Sequence, residues 1–436
     1  MTDNKIQKRL GLAMIAFAAL TLVLVALSFD RGVTVMMHYT CPMACAFAGM
    51  TLLAGRCRKQ IDLWVGVAFV GWYVVSRMLM KELYLDYSFS MFSNLCCAYL
   101  LAFPFARGMD DGRKKSGLKA VTAVFVIGYG LIAWIGVLAA LLDQSIILPY
   151  LGTKIWMKWD LRLWAGNHPN ISACMFMVAL MLGIWLIAQR CSRWLILPVL
   201  VLGFGAYTGI ALADSRTTML QMGCFVAGMV FLAALRLSVR AVWKKAAIGL
   251  VAGAVCLAVV FVSFGWVAEG VTALANQMTA HAETAERQVT ANRDILSDLA
   301  TMTGRTHIYQ NIFRLLRENP KVLVTGMLNS KIVQVLREYT EAEHAHNSYL
   351  QTLLNVGVPG LLMAVFFTVR AVWVSMKLIF SRKASFADQL LAVILLVFLV
   401  GTIPESYLFT EYLTIANMPF FLVFGYALET ERMLRE

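Results

Sequence analysis

The sequence predicts an all-α polytopic membrane protein with about twelve transmembrane helices, because of its composition and the length of its apolar runs. Of its 436 residues, 60% are hydrophobic and 14% are charged. Many apolar runs are roughly twenty residues long, which is the length a helix needs to cross a hydrocarbon layer of ~30 Å. Lipid leaves unpaired backbone polar groups unsatisfied, so such runs indicate a helical bundle.

The first apolar run follows a charged N-terminal stretch, "DNKIQKRL". This arrangement is similar to a signal peptide, but roughly twenty apolar residues with no small-residue cleavage site favour a helix that is retained. The chain, residues 1–436, is therefore predicted to form a single integral membrane domain. The predicted spans are 10–29, 33–54, 61–80, 88–106, 118–141, 171–188, 195–213, 217–235, 246–267, 349–369, 387–403 and 413–429.

The distribution of Lys and Arg predicts the orientation of the bundle. If the N-terminus is cytoplasmic, the cytoplasmic segments hold 23 of the 38 basic residues and the outer segments hold the other 15. Short loops rich in Lys and Arg remain in the cytoplasm, so both termini are predicted to lie there. The net charge of +13 follows from this topology and does not indicate nucleic-acid binding, although basic patches also suit anionic membrane lipid.

Two outer segments are long, and long segments in compact proteins are usually functional or disordered. They are residues 142–170 and residues 268–345, the latter between the ninth and tenth helices. The composition of 268–345 predicts a mostly helical loop. Its stretch "RTHIYQNIFRLLRENP" has apolar residues at helical spacing, and Pro320 should end that helix. An amphipathic helix of this kind lies on the lipid interface or packs over the bundle.

A charged stretch with two histidines, "EYTEAEHAHNSYLQ", precedes the tenth predicted helix. Histidine has an unperturbed pKa of ~6.5 and can accept a proton near neutral pH, so His346 is a candidate general base. A helix capped by interfacial polar residues explains the stretch equally well. A metal site of Glu341, Glu343, His344 and His346 is less favoured, because histidines two apart share a face only in extended chain. No metal or cofactor is predicted.

Three outer arginines are candidate ligands for an anion, because the planar guanidinium group matches phosphate oxygens. Arg216 lies in the turn "ALADSRTTML" beside Asp214, and an ordinary ion pair between these two residues is the alternative explanation. Arg305 begins the amphipathic helix of the long loop. Arg162 precedes the turn "GNHPN", whose Asn and Pro favour a turn on physical grounds alone.

In these motifs the chain resembles the O-antigen ligase and O-antigen polymerase superfamily of bacterial envelope glycosyltransferases. The family pattern of His, then Asn, Ser or Gln, then nine residues and G-x-x-G is met by His346–Gly360. The short outer turn with arginine is met by "DSRTTM", and the S/T-G-R opening of a helix by Thr303–Arg305. The R-x-x-x-G…N-P-N pattern is met loosely by Arg162, Gly166 and "NHPN". The resemblance covers about 160–430.

The resemblance implies a metal-independent, inverting glycosyltransferase of the bacterial inner membrane. Such an enzyme moves a glycan from undecaprenyl diphosphate to an acceptor at the periplasmic face. By this resemblance, His346 would activate the acceptor hydroxyl, and Arg216 and Arg305, with Arg162, would hold the diphosphate. The residues expected to support them are Asn347, Asp214, Tyr349 and Glu405.

Within the superfamily, O-antigen ligase is favoured, with lipid A–core as acceptor in lipopolysaccharide biosynthesis of the cell envelope. O-antigen polymerase, which uses a lipid-linked repeat as acceptor, is the alternative. A protein O-oligosaccharyltransferase is disfavoured because the sequence continues little beyond the last predicted span. A transporter or flippase would carry charges within its spans, and these are nearly absent. Arg370 is the near exception, and it is expected to snorkel to the inner surface.

Overall fold

The computed structural model describes ten parts of the chain. They are residues 61–80, 111–148, 154–157, 162–166, 168–189, 193–237, 241–279, 305–340, 342–410 and 414–435. The predicted spans 10–29, 33–54 and 88–106 lie outside them, as do residues 280–304 of the long loop that was predicted to be mostly helical.

Within the described residues the chain forms twelve helices. They are α1 (Ile61–Leu79), α2 (Asp111–Leu142), α3 (Pro169–Ala188), α4 (Arg193–Ala213), α5 (Arg216–Leu235), α6 (Val242–Thr279), α7 (Arg305–Glu318), α8 (Val322–Thr325), α9 (Asn329–Thr340), α10 (Ser348–Phe380), α11 (Phe386–Gly401) and α12 (Thr414–Arg435). Six of these, α2 to α6 and α10, are long and apolar enough to cross a membrane, and α1 and α11 contain shorter apolar helices. The chain is therefore a mainly helical, polytopic membrane protein.

Two helices extend beyond their predicted spans. Helix α6 continues to Thr279, past residue 268 where the long outer loop was predicted to begin. Helix α10 runs for 33 residues and is interrupted at Gly357, where φ is 72°. A β-carbon on Gly357 would lie 2.4 Å from the carbonyl oxygen of Val324, so the glycine allows α8 to approach α10 closely. This contact is a structural role for the first glycine of the G-x-x-G motif.

A three-stranded antiparallel sheet lies in the outer segment between α2 and α3, and the prediction of an entirely α-helical fold is wrong at this point. Its strands are β1 (Ile146–Ile147), β2 (Lys154–Met157) and β3 (Leu163–Ala165), in the order β1-β2-β3. Strands of two to four residues are too short to show the alternation that identifies a strand. The sheet leads the chain from α2 towards the start of α3.

The helices α7 and α9 pack over the bundle through their apolar faces. Ile312 on α7 and Ile332 on α9 are buried in one cluster with Leu353 and Leu354 of α10. Of the two alternatives for this amphipathic segment, the structure therefore shows packing over the bundle. The contact holds the first residue of α7, Arg305, close to the beginning of α10.

Arg370 forms an ion pair, which the interpretation of a snorkelling side chain did not include. Its Nε lies 2.8 Å and its Nη2 3.2 Å from the two carboxylate oxygens of Asp62, which is buried at the start of α1. A charged pair with two parallel hydrogen bonds satisfies both groups where water is scarce. The pair joins α1 to α10.

The orientation of the bundle remains a prediction that labelling can test. Cysteine in place of Gln310, an exposed residue of α7, is expected to react with a membrane-impermeant thiol reagent added from outside. Cysteine in place of the exposed Lys383 should react only after the inner face is opened, because short basic loops remain cytoplasmic. Both variants need a background without the nine native cysteines. The opposite pattern of labelling would reverse the orientation.

Candidate active site

The loop after α11 carries a buried carboxylate, Glu405, which joins three distant parts of the chain. Its Oε1 accepts hydrogen bonds from Arg305 Nη2 at 3.0 Å and from Asn170 Nδ2 at 2.9 Å. Its Oε2 lies 3.1 Å from Nδ1 of His346. The side chain of Glu405 is 3% exposed and that of His346 is 25% exposed. The carboxylate therefore connects α3, α7 and the segment before α10.

The electrostatics of Glu405 determine which nitrogen of His346 carries the proton. Burial raises the pKa of Glu405, but the hydrogen bond from His346 and the charges of the histidines and Arg305 lower it further, to about 2. An ionised carboxylate only accepts hydrogen bonds, so Nδ1 of His346 donates to it. In the neutral ring, Nε2 is then the nitrogen that can accept a proton.

The low pKa of Glu405 predicts how stability depends on pH. A carboxyl group with a depressed pKa in the folded state stabilises the fold fully above its unfolded pKa of ~4.3, and this contribution is lost as the pH falls towards the folded value. Glu405→Gln should therefore lower the unfolding temperature by a constant amount between about pH 5 and 8, with a smaller difference below about pH 4. Thermal unfolding of the purified protein measures this.

Glu318→Gln is the matched control, because Glu318 forms an exposed ion pair with Arg314 on α7. Exposed pairs contribute little to stability, so this variant should behave as the parent protein does at every pH. A destabilisation by Glu405→Gln that stays unchanged down to pH 3 would contradict the proposed ionisation of Glu405.

The segment that carries His346 is irregular and is held by its neighbours. The backbone φ of His346 is 47°, which few residues other than glycine adopt. Asn347 caps α10, since its Oδ1 accepts a hydrogen bond from the N–H of Tyr349 at 3.0 Å. The hydroxyl of Tyr309 donates to the carbonyl oxygen of His346 at 3.2 Å. These contacts stabilise a strained conformation that directs the imidazole towards Glu405.

Arg162 belongs to the network of hydrogen bonds that supports Glu405. Its Nη2 donates to Oδ1 of Asn170 at 2.7 Å, and the amide of Asn170 in turn donates to Glu405. Its Nε donates to the carbonyl oxygen of Ala213 at 3.0 Å, and Nη2 also reaches the carbonyl oxygen of Asp214 at 3.2 Å. These bonds fix the turn between α4 and α5 relative to α3, and they favour a positioning role for Arg162 over its predicted role as a phosphate ligand.

Arg216 is the half-buried first residue of α5, directly after that turn. The first turn of α5 lies against the Glu405 loop, because the hydroxyl of Tyr407 interacts with Thr218 and Ser215 and donates to the carbonyl oxygen of Asn170 at 3.1 Å. A helix N-terminus presents free N–H groups and a partial positive charge. Arg216 therefore adds its charge to an electropositive end of α5 beside the Glu405 loop.

Two of the predicted supporting residues, Tyr349 and Asp214, help to hold the helix ends in place around the site. The hydroxyl of Tyr349 is 2.8 Å from Oγ1 of Thr368 and accepts from Thr402 at 3.4 Å, so it links α10 to the end of α11. Asp214 has a φ of 47° and contributes its carbonyl oxygen to Arg162. Its strained backbone marks the sharp reversal between α4 and α5.

His344 lies in contact with His346, although histidines two apart were expected to point in different directions. The expectation assumed a helix, whereas residues 342–347 form none. The two ring centroids are 4.0 Å apart in an edge-to-face arrangement. Burial, followed by the charge of His346, lowers the pKa of His344 to about 4, so the ring is neutral at neutral pH. His344 therefore supplies a neutral wall against which His346 packs.

The same residues offer a donor set for a metal ion. Ligand atoms of His344, His346 and Glu405 all lie within 4.8 Å of one another. Two imidazoles and a carboxylate would suit zinc, but Oε2 of Glu405 already lies 3.1 Å from Nδ1 of His346, and a cation between them would have to displace the proton of that hydrogen bond. The metal site considered from the sequence also contained Glu341 and Glu343. Glu343 pairs with Arg337 instead, and Glu341 lies outside the described residues.

Sequence patterns missed Asn170 and Tyr309 as parts of this site. Asn170 stood in "NHPN", which was interpreted as a turn and as a loose match to the family pattern, and no role was predicted for Asn170 itself. Its hydrogen-bond partner is 235 residues away in the chain, so no local signal could reveal the contact. Tyr309 lies on the amphipathic helix whose period predicted packing, and nothing in that period indicates a bond to His346.

Comparison with known families identifies the region that contains much of this site. Residues 201–365 match the family model described as O-antigen ligase. This match supports a relationship between that region of the chain and the O-antigen ligase and polymerase superfamily. No curated protein matches the chain.

The O-antigen ligase region holds Arg216, Arg305 and His346, but it does not hold the whole site. Asn170 and Glu405 lie on either side of the matched residues. Glu405 is hydrogen-bonded to His346 and Arg305 within them, and Asn170 is hydrogen-bonded to Glu405. A relationship to this family implies a lipid-linked glycan substrate and a membrane setting. The geometry around Glu405 is therefore the part of the protein where glycan chemistry is best sought.

Proposed function

We propose that the protein is an O-antigen ligase, which transfers glycan from undecaprenyl diphosphate to a sugar of lipid A–core at the periplasmic face of the inner membrane. The transfer is direct and inverting, and it needs no metal. The observation that carries this proposal is the hydrogen-bonded group of His346, Glu405 and Arg305, which combines a base with an anion site in one place.

The base in this proposal is Nε2 of His346. Glu405 holds the Nδ1 proton, so the ring presents Nε2 in the form that accepts a proton from the acceptor hydroxyl. Glu405 also stabilises the imidazolium that forms, because its charge lies 3.1 Å from Nδ1. Glu405 is a positioning residue, since it acts through the histidine.

The departing group in this reaction is a lipid diphosphate, which develops negative charge as the sugar leaves. Preorganised donors that meet such a charge stabilise the transition state. Arg305 lies in the same hydrogen-bonded group as His346, and Arg216 lies at the beginning of α5 beside it. These positions support a diphosphate site made by Arg216 and Arg305, with Arg162 holding the frame.

The decisive experiment on substrate class is the lipopolysaccharide of a strain that lacks the gene. If the protein is a ligase, all O-antigen is lost from lipid A–core and lipid-linked polymer accumulates. If it is a polymerase, the core carries a single repeat. Unchanged lipopolysaccharide would contradict both assignments.

A second test concerns His344, whose ring packs against that of His346. His344→Ala should lower transfer by roughly 10- to 100-fold, because small misplacements of a catalytic group have effects of this size. His344→Phe keeps a ring in contact with His346 and should recover part of the loss. Transfer by purified protein from lipid-linked donor to acceptor measures both variants.

Full activity of His344→Ala would show that the ring contact is unimportant. If both variants are equally inactive and EDTA also abolishes transfer by the parent protein, then His344 binds a metal ion and the assignment of His346 as a free base is wrong.

A further inference from the structure

A groove opens on the lipid-facing side of the bundle, away from the candidate active site. It lies between α5, α6, α10 and α11 and has a volume of about 410 Å³. Its lining is almost entirely apolar. The lining includes Phe231, Gly249, Ala254, Leu257, Phe380 and Val397. Since it opens to the side and offers nothing for water to bind, hydrocarbon is the natural content of the groove.

Two glycines shape one wall of this groove. Gly249 and Gly253 are one turn apart on α6 and face α5. A β-carbon on Gly249 would lie 2.8 Å from the ring of Phe231, and one on Gly253 would lie 3.3 Å from Ala227. Small residues at this spacing allow two membrane helices to approach closely. The wall is therefore fixed by helix packing.

The end of the groove opposite His346 carries positive charge. Lys245 is one turn before Gly249 on α6, and its Nζ is 3.2 Å from the carbonyl oxygen of Leu235 at the end of α5. Lys244 is exposed beside it, and Arg236 follows α5 directly. The basic residues of short loops are expected on general grounds. Lys245 shares a face of α6 with the groove-lining Gly249, and its bond to Leu235 places its charge at this end of the groove.

One acidic side chain on the neighbouring helix, Asp388, is already hydrogen-bonded. Asp388, at the beginning of α11, forms a capping box with Ser385, which donates to its carboxylate at 2.6 Å. Arg236 contacts the same helix through Oε1 of Gln389 at 2.8 Å. Trp243 is 70% exposed next to Lys244, and exposed tryptophan is typical of the boundary between lipid and water.

We propose that this groove binds an acyl chain of an anionic phospholipid, whose phosphate contacts Lys244, Lys245 and Arg236. Charge complementarity identifies the headgroup, because basic pockets between membrane helices suit anionic headgroups. The length of the groove identifies the acyl chain as its content. From Gly249 to Leu257 the helix rises roughly 12 Å, close to one leaflet of a ~30 Å hydrocarbon layer. A longer prenyl tail would extend beyond it.

Native mass spectrometry of the full chain tests this site directly. The protein is purified in detergent and incubated with phosphatidylglycerol or with zwitterionic phosphatidylethanolamine. We expect preferential retention of phosphatidylglycerol, and weaker retention by roughly five-fold for each lysine replaced in Lys244→Gln and Lys245→Gln. Ala254→Phe fills the groove from an exposed lining position and should reduce retention without changing any charge.

Lys321→Gln is the matched control, because it removes an exposed lysine near α8, remote from the groove, and should retain lipid as the parent does. Unfolding temperatures of lipid-free samples show whether each variant is folded. The proposal is overturned if both lipids are retained equally, or if neither the lysine variants nor Ala254→Phe changes retention. Displacement of phosphatidylglycerol by a polyprenyl phosphate would instead assign the groove to a prenyl tail.

Discussion

Replacement of His346 by alanine is expected to lower glycan transfer by about 10²–10⁴-fold, the range typical of general-base catalysis. Donor binding should survive, because the proposed diphosphate ligands are arginines on other helices. The loss is measured with purified protein, a lipid-linked donor and a lipid A–core acceptor. The binding of donor is measured separately, so that a failure of chemistry is distinguished from a failure of affinity.

His307→Ala is the control for this experiment. His307 is an exposed histidine on α7, close to the site in sequence, and its Nε2 is 3.4 Å from Asn311 on the same helix. Its removal should leave transfer unchanged. Full activity of His346→Ala would refute the proposed base. Strong inhibition by EDTA would favour a metal ion held by His344, His346 and Glu405.

Replacement of Arg216 by alanine is expected to lower the turnover rate by about 10²–10³-fold, as the removal of one donor to a developing anion does in other enzymes. Arg216→Lys should recover only part of the rate, because a point charge replaces a planar fork of donors. The amount of protein in the membrane should not change. Arg317→Ala, which removes an exposed arginine from α7, is the control and should remain active.

Arg305→Ala should differ from Arg216→Ala in its pH dependence. Arg305 is bonded to Glu405 at 3.0 Å and lowers the pKa of that carboxyl group, whereas Arg216 lies at the beginning of α5. Loss of Arg305 therefore raises the pKa of Glu405 and should shift the acid limb of the thermal-stability profile to higher pH. Identical pH profiles for the two variants would show that Arg305 does not affect the ionisation of Glu405. Normal activity of Arg216→Ala would reduce Arg216 to a surface charge.

Local patterns in the sequence predicted most of the described helices and identified the segment before α10. Apolar runs predicted the positions of α1 to α6 and of α10 to α12, because burial in lipid requires continuous hydrophobicity over a whole span. The spacing of His346, Asn347 and Gly357 identified the segment before α10, since a cap and a positive φ are local requirements.

Sequence alone did not identify the partners of these residues. Glu405 was already expected to support the site, but the sequence did not decide which residues it contacts, because its bonds to His346, Arg305 and Asn170 cross 59, 100 and 235 residues of the chain. The contact between the two histidines also depended on tertiary structure, because it arises from an irregular segment held by Tyr309.

The pairing of Asp62 with Arg370, across 308 residues, was not visible in the sequence for the same physical reason. Hydrophobic periodicity is a property of neighbouring residues, so it is visible in one element of sequence at a time. A hydrogen bond between polar side chains depends on where whole helices meet, and only the packed bundle decides that. The sequence therefore determined which groups could react, and the tertiary structure decided which of them are held together.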